Sequence, residues 1–271
     1  MTDACARAWS AFENLLPALV RHLHLLRREL PAQVAGAPPV VTGQAIADRV
    51  ARRMILACWP FREHRLTPMA AVAGAVAEAI LETMRGPGID RVWVNNGGDI
   101  ALHLGPGRRL RVALASAAAS ALPVVIEADD PVRGVATSGW RGRSFSLGIA
   151  DAVTVLAADA ASADAAATLI ANAVDLDDPR IGRRPACELA PDSDLGERLV
   201  TVSVDALDGD ACDRAIVAGA RLAQSMADAG RIVAARIELQ GRQRIIGHDR
   251  PRSMMLAALA DAGRGPGDAG S

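Results

Sequence analysis

An aspartate and a threonine four residues apart, Asp164 and Thr168, are the side chains of this sequence best suited to hold a metal ion. They lie in the segment A-A-S-A-D-A-A-A-T-L-I-A-N-A, which predicts a helix with Ser162 as its N-cap and Asp164 in its first turn. Positions i and i+4 of a helix share a face, and Asn172 extends the same stripe. Carboxylate and hydroxyl oxygens suit Mg²⁺, which keeps several waters and takes other oxygens from a substrate phosphate. The structural alternative is that the helix dipole alone favours a first-turn aspartate.

A glycine pair at the end of a predicted strand is the second candidate binding element. The strand covers residues 91–95 and runs into Asn96, Gly97, Gly98 and Asp99. Glycine adopts backbone dihedrals closed to other residues, and two missing side chains leave room for a flat or phosphorylated ligand. The alternative is an Asn-Gly hairpin turn with no ligand.

The third candidate is the predicted turn Thr137-Ser138-Gly139. It offers two hydroxyls and exposed backbone amides to a phosphate or to the edge of a planar ring. Arg141 and Arg143 follow closely, and guanidinium groups bind pyrophosphate well. The alternatives are a purely structural turn and solvated arginines.

Helices and paired strands alternate along the chain in a pattern that predicts an α+β fold. Apolar residues spaced by three and four form one stripe on the first helix, namely Phe12, Leu16, Leu19, Leu23, Leu26 and Leu30. Such a stripe predicts a contact with the core or with another subunit, so a homodimer is one option. Further helices are predicted at 43–59, 69–80 and 210–229. Strands are predicted near 103 and at 110–114, 124–127, 152–157, 199–204, 232–239 and 244–246. Residues 175–184 predict a turn-rich loop, residues 1–262 a single domain, and residues 263–271 a disordered tail.

Composition excludes several classes of function. The 271 residues are 51% hydrophobic, and 30 Lys+Arg nearly balance 31 Asp+Glu, so no basic surface for nucleic acid or an anionic membrane is expected. The four cysteines lie far apart and predict reduced thiols. No apolar run is long enough to span a membrane, and no secretory signal is evident, so we expect a soluble cytoplasmic protein. Dinucleotide-fold, phosphate-loop and hydrolase motifs are absent from the sequence.

The order of these blocks resembles that of the ApbE-like superfamily. The resemblance rests on the Gly-Gly-Asp strand end, the Thr-Ser-Gly turn, the strand at 152–157 and the Ala-Asp-Ala-Ala-Ala-Thr helix. It is closest to a smaller cytosolic branch, whose pattern appears as P-M-A-A-V-A-G at 68–74, N-G-G-D at 96–99 and S-D-L-G at 193–196. The resemblance implies ApbE-like, T-fold-like antiparallel sheets packed with helices. The best-known members of the superfamily transfer FMN from FAD to protein threonines.

The resemblance also implies a magnesium ion and a flavin nucleotide, FAD or FMN. In ApbE-like transferases the aspartate and threonine of this helix motif bind the metal, and here they are Asp164 and Thr168. The residues implied in cofactor binding are Asn96, Gly97, Gly98, Asp99, Thr137, Ser138, Gly139 and Arg143.

Two departures from the transferase pattern concern the reacting phosphate. The His-x-x-Asp-Pro-x-Thr-Gly segment of the transferases is replaced by R-G-R-S-F-S-L-G-I-A-D at 141–151, and the lysine before the helix glycine is replaced by Ala73. We therefore expect a magnesium-dependent flavin-binding protein that is either a nucleotide transferase or a pyrophosphatase. The alternatives are a non-catalytic protein that binds a flavin or pterin-type cofactor, and an enzyme of specialised one-carbon coenzyme biosynthesis.

Overall fold

The computed structural model describes residues 2–34, 36–38, 46, 48–114 and 122–247. Its helices are α1 Thr2–Val20, α2 Leu23–Leu26, α3 Arg49–Cys58, α4 Val72–Met84, α5 Ala160–Ala173, α6 Ala186–Leu189 and α7 Gly209–Asp228. Two 3₁₀ helices, Trp59–His64 and Pro68–Ala71, precede α4. The strands are β1 Arg91–Asn96, β2 Asp99–Leu104, β3 Arg109–Leu114, β4 Leu122–Glu127, β5 Gly134–Ser138, β6 Ala152–Ala157, β7 Ile181–Pro185, β8 Leu199–Val204, β9 Ala234–Leu239 and β10 Arg242–Gly247. The predicted tail at 263–271 and the predicted helix start at 43 lie outside the described residues.

Six strands form one sheet in the order β1-β2-β5-β6-β9-β10. Every neighbouring pair in this sheet runs antiparallel. In the described part of the chain, β3–β4 and β7–β8 form two separate antiparallel hairpins. The prediction of an α+β fold with antiparallel sheets packed against helices is therefore confirmed.

Both faces of the six-stranded sheet are covered, as its central strand β6 shows. All six residues of β6 are buried. Val153 and Val155 belong to a core shared with α4, α5 and α7, whereas Leu156 belongs to a core shared with the β3–β4 hairpin. Successive residues of a strand face opposite sides, so a strand covered on both sides is apolar almost throughout.

Helices α4 and α5 approach closely at Gly74. A Cβ atom built on Gly74 would lie 2.2 Å from the carbonyl oxygen of Ala160, so this position has room for glycine alone. The two helices also cap each other. The Gly74 N–H donates to Oδ2 of Asp164 at 3.0 Å, and the Ala161 N–H donates to Oε1 of Glu78 at 2.9 Å. Each carboxylate thus satisfies a backbone donor that the first turn of the other helix leaves without an intrahelical partner.

The start of α5 differs from the prediction. Asp159, not Ser162, is the N-cap, and its carboxylate accepts hydrogen bonds from the backbone N–H of Ser162 at 2.7 Å and from the Ser162 hydroxyl at 2.8 Å. Asp164 therefore lies in the second turn of the helix, beyond the first-turn position in which the dipole alone would explain an aspartate. Asp164 and Thr168 still share a face because their spacing is unchanged.

The predicted loop at 175–184 is wrong in its second half. Strand β7 begins at Ile181 and pairs with β8, with Arg183 opposite Thr201. The charged local sequence D-L-D-D-P-R-I-G-R-R does not predict a strand. The strand forms because it pairs with a segment some twenty residues away.

The apolar stripe of the first helix is only partly a core contact. Leu19 and Leu26 are buried, whereas Phe12 and Leu16 are 53% and 67% exposed. The helix ends at Val20 and a second one begins at Leu23, so the stripe does not continue along one straight face. The buried side of α1 includes the small residues Ala4 and Ala8 instead. The predicted core contact is wrong for Phe12 and Leu16, and the homodimer stays a prediction.

The four cysteines are free thiols, as predicted. Cys58 and Cys212 are buried, Cys187 is half-buried and Cys5 is exposed. Across the described ranges, no helix combines the length and the apolar character that a bilayer crossing requires.

We expect Gly74→Ala to lower the free energy of unfolding by about 1–3 kcal/mol, because the added methyl group meets helix backbone that cannot move away alone. The matched control is Gly86→Ala. The nearest atom to a Cβ there is the flexible guanidinium of Arg7 at 3.9 Å, so this variant should remain close to wild type. Urea unfolding of both variants measures the difference. Equal stability of the two would contradict the close α4–α5 contact.

Candidate functional site

A cavity of about 900 Å³ opens where the start of α4, the β1–β2 turn, the β5–β6 connection and α5 meet. Nine of the ten residues predicted as cofactor or metal ligands line it: Gly97, Gly98, Asp99, Thr137, Ser138, Gly139, Arg143, Asp164 and Thr168. Asn96 is not among the lining residues. Its side-chain amide donates to the carbonyl of Ala73 at 3.1 Å and so ties the hairpin to the first turn of α4.

The glycine pair is a hairpin turn and also a wall of this cavity. Gly97 and Gly98 connect β1 to β2, with Asn96 paired to Asp99. Their φ angles are +72° and +118°, a region that favours glycine. The Gly98 N–H donates to the side-chain oxygen of Asn95 at 2.8 Å. The hairpin turn is therefore observed, and ligand binding at this turn stays a prediction.

Arg143 lies with its guanidinium directly on Gly97. A Cβ atom on Gly97 would come within 1.4 Å of Nη2 of Arg143, so any side chain at position 97 would displace the arginine. Among the described residues, Arg143 forms no ion pair with a carboxylate. An exposed guanidinium without a carboxylate partner is well suited to an anionic ligand.

Asp99 is a buried carboxylate at the cavity wall. Its Oδ1 accepts a hydrogen bond from the Thr137 N–H at 3.2 Å. Burial raises the pKa of Asp99 to about 6, and the Thr137 hydrogen bond and the charge of Arg143 offset part of this shift. The hydrogen bond joins β2 to β5 at the point where both strands reach the cavity.

Asp164 faces the same cavity from α5. Loss of solvation raises its pKa well above the usual value, and repulsion from Asp99 raises it further. Hydrogen bonds from the Gly74 and Ala73 backbone oppose this shift only in part. Two carboxylates therefore share a region of low solvation, where each disfavours the charged form of the other.

The donors at this end of the cavity suit a hard divalent cation. Asp99, Asp164, Thr137 and Thr168 supply only oxygen atoms. Within the ranges that the structure describes, no group of three or more His, Cys, Asp or Glu side chains is arranged to hold a metal. A cation here would complete its coordination with water and ligand oxygens, as Mg²⁺ does and as soft or tightly caged metals do not.

Asp151 holds the β5–β6 connection in place. Its buried carboxylate accepts from Trp140 Nε1 at 3.2 Å, Arg141 Nε at 2.7 Å and the Gln240 N–H at 2.6 Å. A Cβ atom on Gly139 would lie 2.5 Å from the Asp151 carbonyl oxygen. Arg141 is thus neutralised by Asp151, which leaves Arg143 as the arginine of this connection without a carboxylate partner in the described residues.

Thr67, Asp194 and Arg198 are among the cavity residues that the sequence analysis did not assign to the site. The buried Thr67 hydroxyl donates to Oδ2 of Asp194 at 2.5 Å. Asp194 lies in the S-D-L-G block, so the family pattern was the available signal for it. Nothing in the local sequence indicates Arg198.

The raised pKa values make stability depend on pH in a defined direction. A carboxyl group whose pKa is higher in the folded chain than in the unfolded chain favours folding while protonated, and this contribution is lost as the pH rises through the folded value. For Asp99, with a pKa of about 6 against an ordinary 3.8, the loss between pH 4 and pH 7.5 is roughly 2–3 kcal/mol. Asp99→Asn should therefore gain stability relative to wild type over that interval. Urea unfolding in the presence of EDTA measures it, and a pH-independent difference would contradict the shift.

Comparison with known proteins agrees with the motif order. The family model described as AbpE bacteria matches residues 1–245. A UPF0280 protein of Methanopyrus kandleri is 35% identical over 216 residues, which cover 75% of this chain and 84% of that protein. UPF0280 proteins of Methanothrix thermoacetophila and Methanothermobacter thermautotrophicus are each 38% identical, over 56% and 48% of this chain. These two matches span 58% and 52% of the relatives' own length.

Two solved structures show a distant similarity. The flavinyl transferase ApbE of Pseudomonas stutzeri aligns over 90% of this chain and 88% of its own, with 13% identity and a TM-score of 0.39. The flavin transferase ApbE of Vibrio cholerae aligns over 68% of this chain and 48% of its own, with 18% identity and a TM-score of 0.34. On the family match and the Methanopyrus relative, the chain belongs to the AbpE bacteria family, within the ApbE-like superfamily.

Proposed function

We propose that this protein binds a flavin nucleotide, FAD or FMN, together with Mg²⁺ in the cavity between α4, α5 and the β1–β2 turn. One observation carries the proposal. Asp99 and Asp164 face the same cavity with raised pKa values, and among the described residues neither forms an ion pair. A divalent cation would offset the repulsion between them, and Asp164, Asp99 and Thr168 are the residues that would hold it.

The remaining cavity residues support a phosphorylated ligand. Arg143 offers a guanidinium that pairs with no carboxylate among the described residues, Ser138 offers a hydroxyl, and Gly97 and Gly98 keep the backbone bare. The Thr137 hydroxyl is already hydrogen-bonded to that of Thr154 at 2.9 Å. The cavity volume lies within the range of about 300–1,000 Å³ that is usual for small-molecule sites. The identity of the ligand as a flavin rests on membership of the ApbE-like superfamily.

The chemistry that the site supports is transfer or cleavage at the phosphate. Bound Mg²⁺ would neutralise charge on the phosphate oxygens. Arg143 would contribute a second positive charge, and the Thr137 N–H bond to Asp99 would keep that carboxylate oriented toward the cavity. Asp151 holds the loop that carries Arg143, so it acts as a positioning residue.

A non-catalytic flavin carrier is the second candidate, and the β5–β6 connection favours it. The transferase histidine has no counterpart between Arg141 and Asp151. Arg141 is bound to Asp151, so it does not replace that histidine.

Removing the carboxylate should remove the metal dependence. We expect Asp164→Asn to weaken FMN binding in the presence of Mg²⁺ at least tenfold, because a lost charge-assisted contact costs about 1.5–3 kcal/mol. The variant should bind FMN equally well in Mg²⁺ and in EDTA, since it no longer holds the metal. Since Asp164 also caps α4, Thr168→Val provides a second variant that should reduce the Mg²⁺ effect without removing the cap. Asp129→Asn, an exposed carboxylate outside the cavity, is the control. Flavin fluorescence titration measures the FMN affinity of wild type and the three variants. A wild-type affinity that is the same in Mg²⁺ and in EDTA would refute the metal site.

A long incubation with FAD and Mg²⁺ separates enzyme from carrier. We expect little or no FMN transfer to a peptide that bears a flavinylation threonine, since the transferase histidine is missing. Chromatography of the flavins measures slow cleavage to FMN and AMP. Cleavage by wild type and not by Asp164→Asn indicates an enzyme, intact FAD indicates a carrier, and rapid labelling of the peptide would overturn the expectation.

A further inference from the structure

We propose that Arg198 forms a second oxyanion subsite, in the part of the cavity that Arg65, Thr67 and Asp194 line, for the carboxylate or phosphate of an anionic co-substrate. This inference rests on the proposed function, because it assumes that the nucleotide phosphate lies beside Asp99 and Asp164. It adds a class of partner molecule to that function: a small anion that binds beside the nucleotide.

Arg198 is a cavity residue whose charge is not neutralised by an ion pair in the described part of the chain. Its Nη1 donates to the carbonyl of Arg65 at 3.2 Å, which holds the guanidinium against the cavity wall. A guanidinium has five N–H donors, so the others remain available to a ligand. The side chain is partly exposed, so a ligand in the cavity can reach these donors.

Arg65, whose carbonyl holds Arg198, has its own side chain paired with a carboxylate. Arg65 is bound to Glu29 at 3.0 Å and is thereby neutralised. Arg65 follows the 3₁₀ helix Trp59–His64, and its φ of +54° is the left-handed conformation that commonly ends a helix. Its carbonyl, at this helix end, accepts the hydrogen bond from Arg198.

Different segments build the two parts of the cavity. Thr67 precedes the 3₁₀ helix Pro68–Ala71, and Asp194 and Arg198 lie in the loop before β8. Asp99 begins β2, and Asp164 lies in α5. We assign the anion at Arg198 to a molecule other than the nucleotide, and the FMN affinity of Arg198→Gln tests this assignment.

Asp194 lines the same part of the cavity, where its negative charge would oppose the binding of an anion. Its Oδ2 accepts the Thr67 hydroxyl, and it forms no ion pair with Arg198. The opposite charges of Arg198 and Asp194 give the proposal two predictions of opposite sign.

The test is calorimetric titration of inorganic phosphate into protein saturated with FMN and Mg²⁺. We expect Arg198→Gln to weaken phosphate binding about tenfold or more while FMN affinity stays unchanged, and Asp194→Asn to strengthen phosphate binding. Arg184→Gln, which removes an exposed arginine paired with Glu188 outside the cavity, is the matched control and should match wild type.

The outcomes distinguish the two proposals. If wild type binds no FMN, the proposed function fails, and the same phosphate titration in EDTA without FMN still measures Arg198. Equal phosphate binding by wild type and Arg198→Gln, or none by wild type under either condition, overturns the subsite. A loss of FMN affinity in Arg198→Gln also overturns it, because Arg198 would then bind the nucleotide itself.

Discussion

The close contact between α4 and α5 is the constraint on which the site depends. Gly74 allows the α4 backbone to touch Ala160, and the two helices then exchange carboxylate caps through Asp164 and Glu78. Glu78 accepts this role although burial raises its pKa to about 7, since Arg53 and the α5 backbone N–H groups stabilise its charge. Because Asp164 is fixed by the first turn of α4, its carboxylate is held at the cavity whether or not a ligand is bound.

The second carboxylate reaches the same place by a different route. Asp99 begins β2 directly after the glycine turn, and its bond to the Thr137 N–H fixes it to the neighbouring strand. The fold therefore brings together a helix carboxylate and a strand carboxylate that repel each other, and places Arg143 over the turn beside them. Repulsion of this kind destabilises the apo protein, and clusters of strongly shifted pKa values are more common at functional sites than elsewhere. The charge arrangement and the motif order thus lead independently to the same cavity.

Local features were predictable from the sequence, and contacts between distant segments were not. The glycine turn, the Thr-Ser-Gly segment and the Asp164–Thr168 pair can each be recognised from a few consecutive residues, and all three line the cavity. The N-cap of α5 was misplaced because Asp159 and Ser162 are both good caps and only the structure decides between them. Thr67 and Asp194 are 127 residues apart, and Arg198 is held by a carbonyl 133 residues away, so the sequence could not predict these contacts, although the S-D-L-G block marks Asp194 itself. Asn96 was assigned to cofactor binding with the rest of the N-G-G-D motif, but it does not line the cavity, and its side chain donates to the Ala73 carbonyl of α4.

Anomalous diffraction from crystals grown with Mn²⁺ and FMN tests the central claim most directly, since Mn²⁺ takes the place of Mg²⁺ at oxygen sites. The account predicts one strong anomalous peak at Asp164, within coordination distance of Thr168 or Asp99 and of a phosphate oxygen of the bound FMN. FMN bound in the cavity with no metal at these residues, or a metal bound only elsewhere, would contradict it.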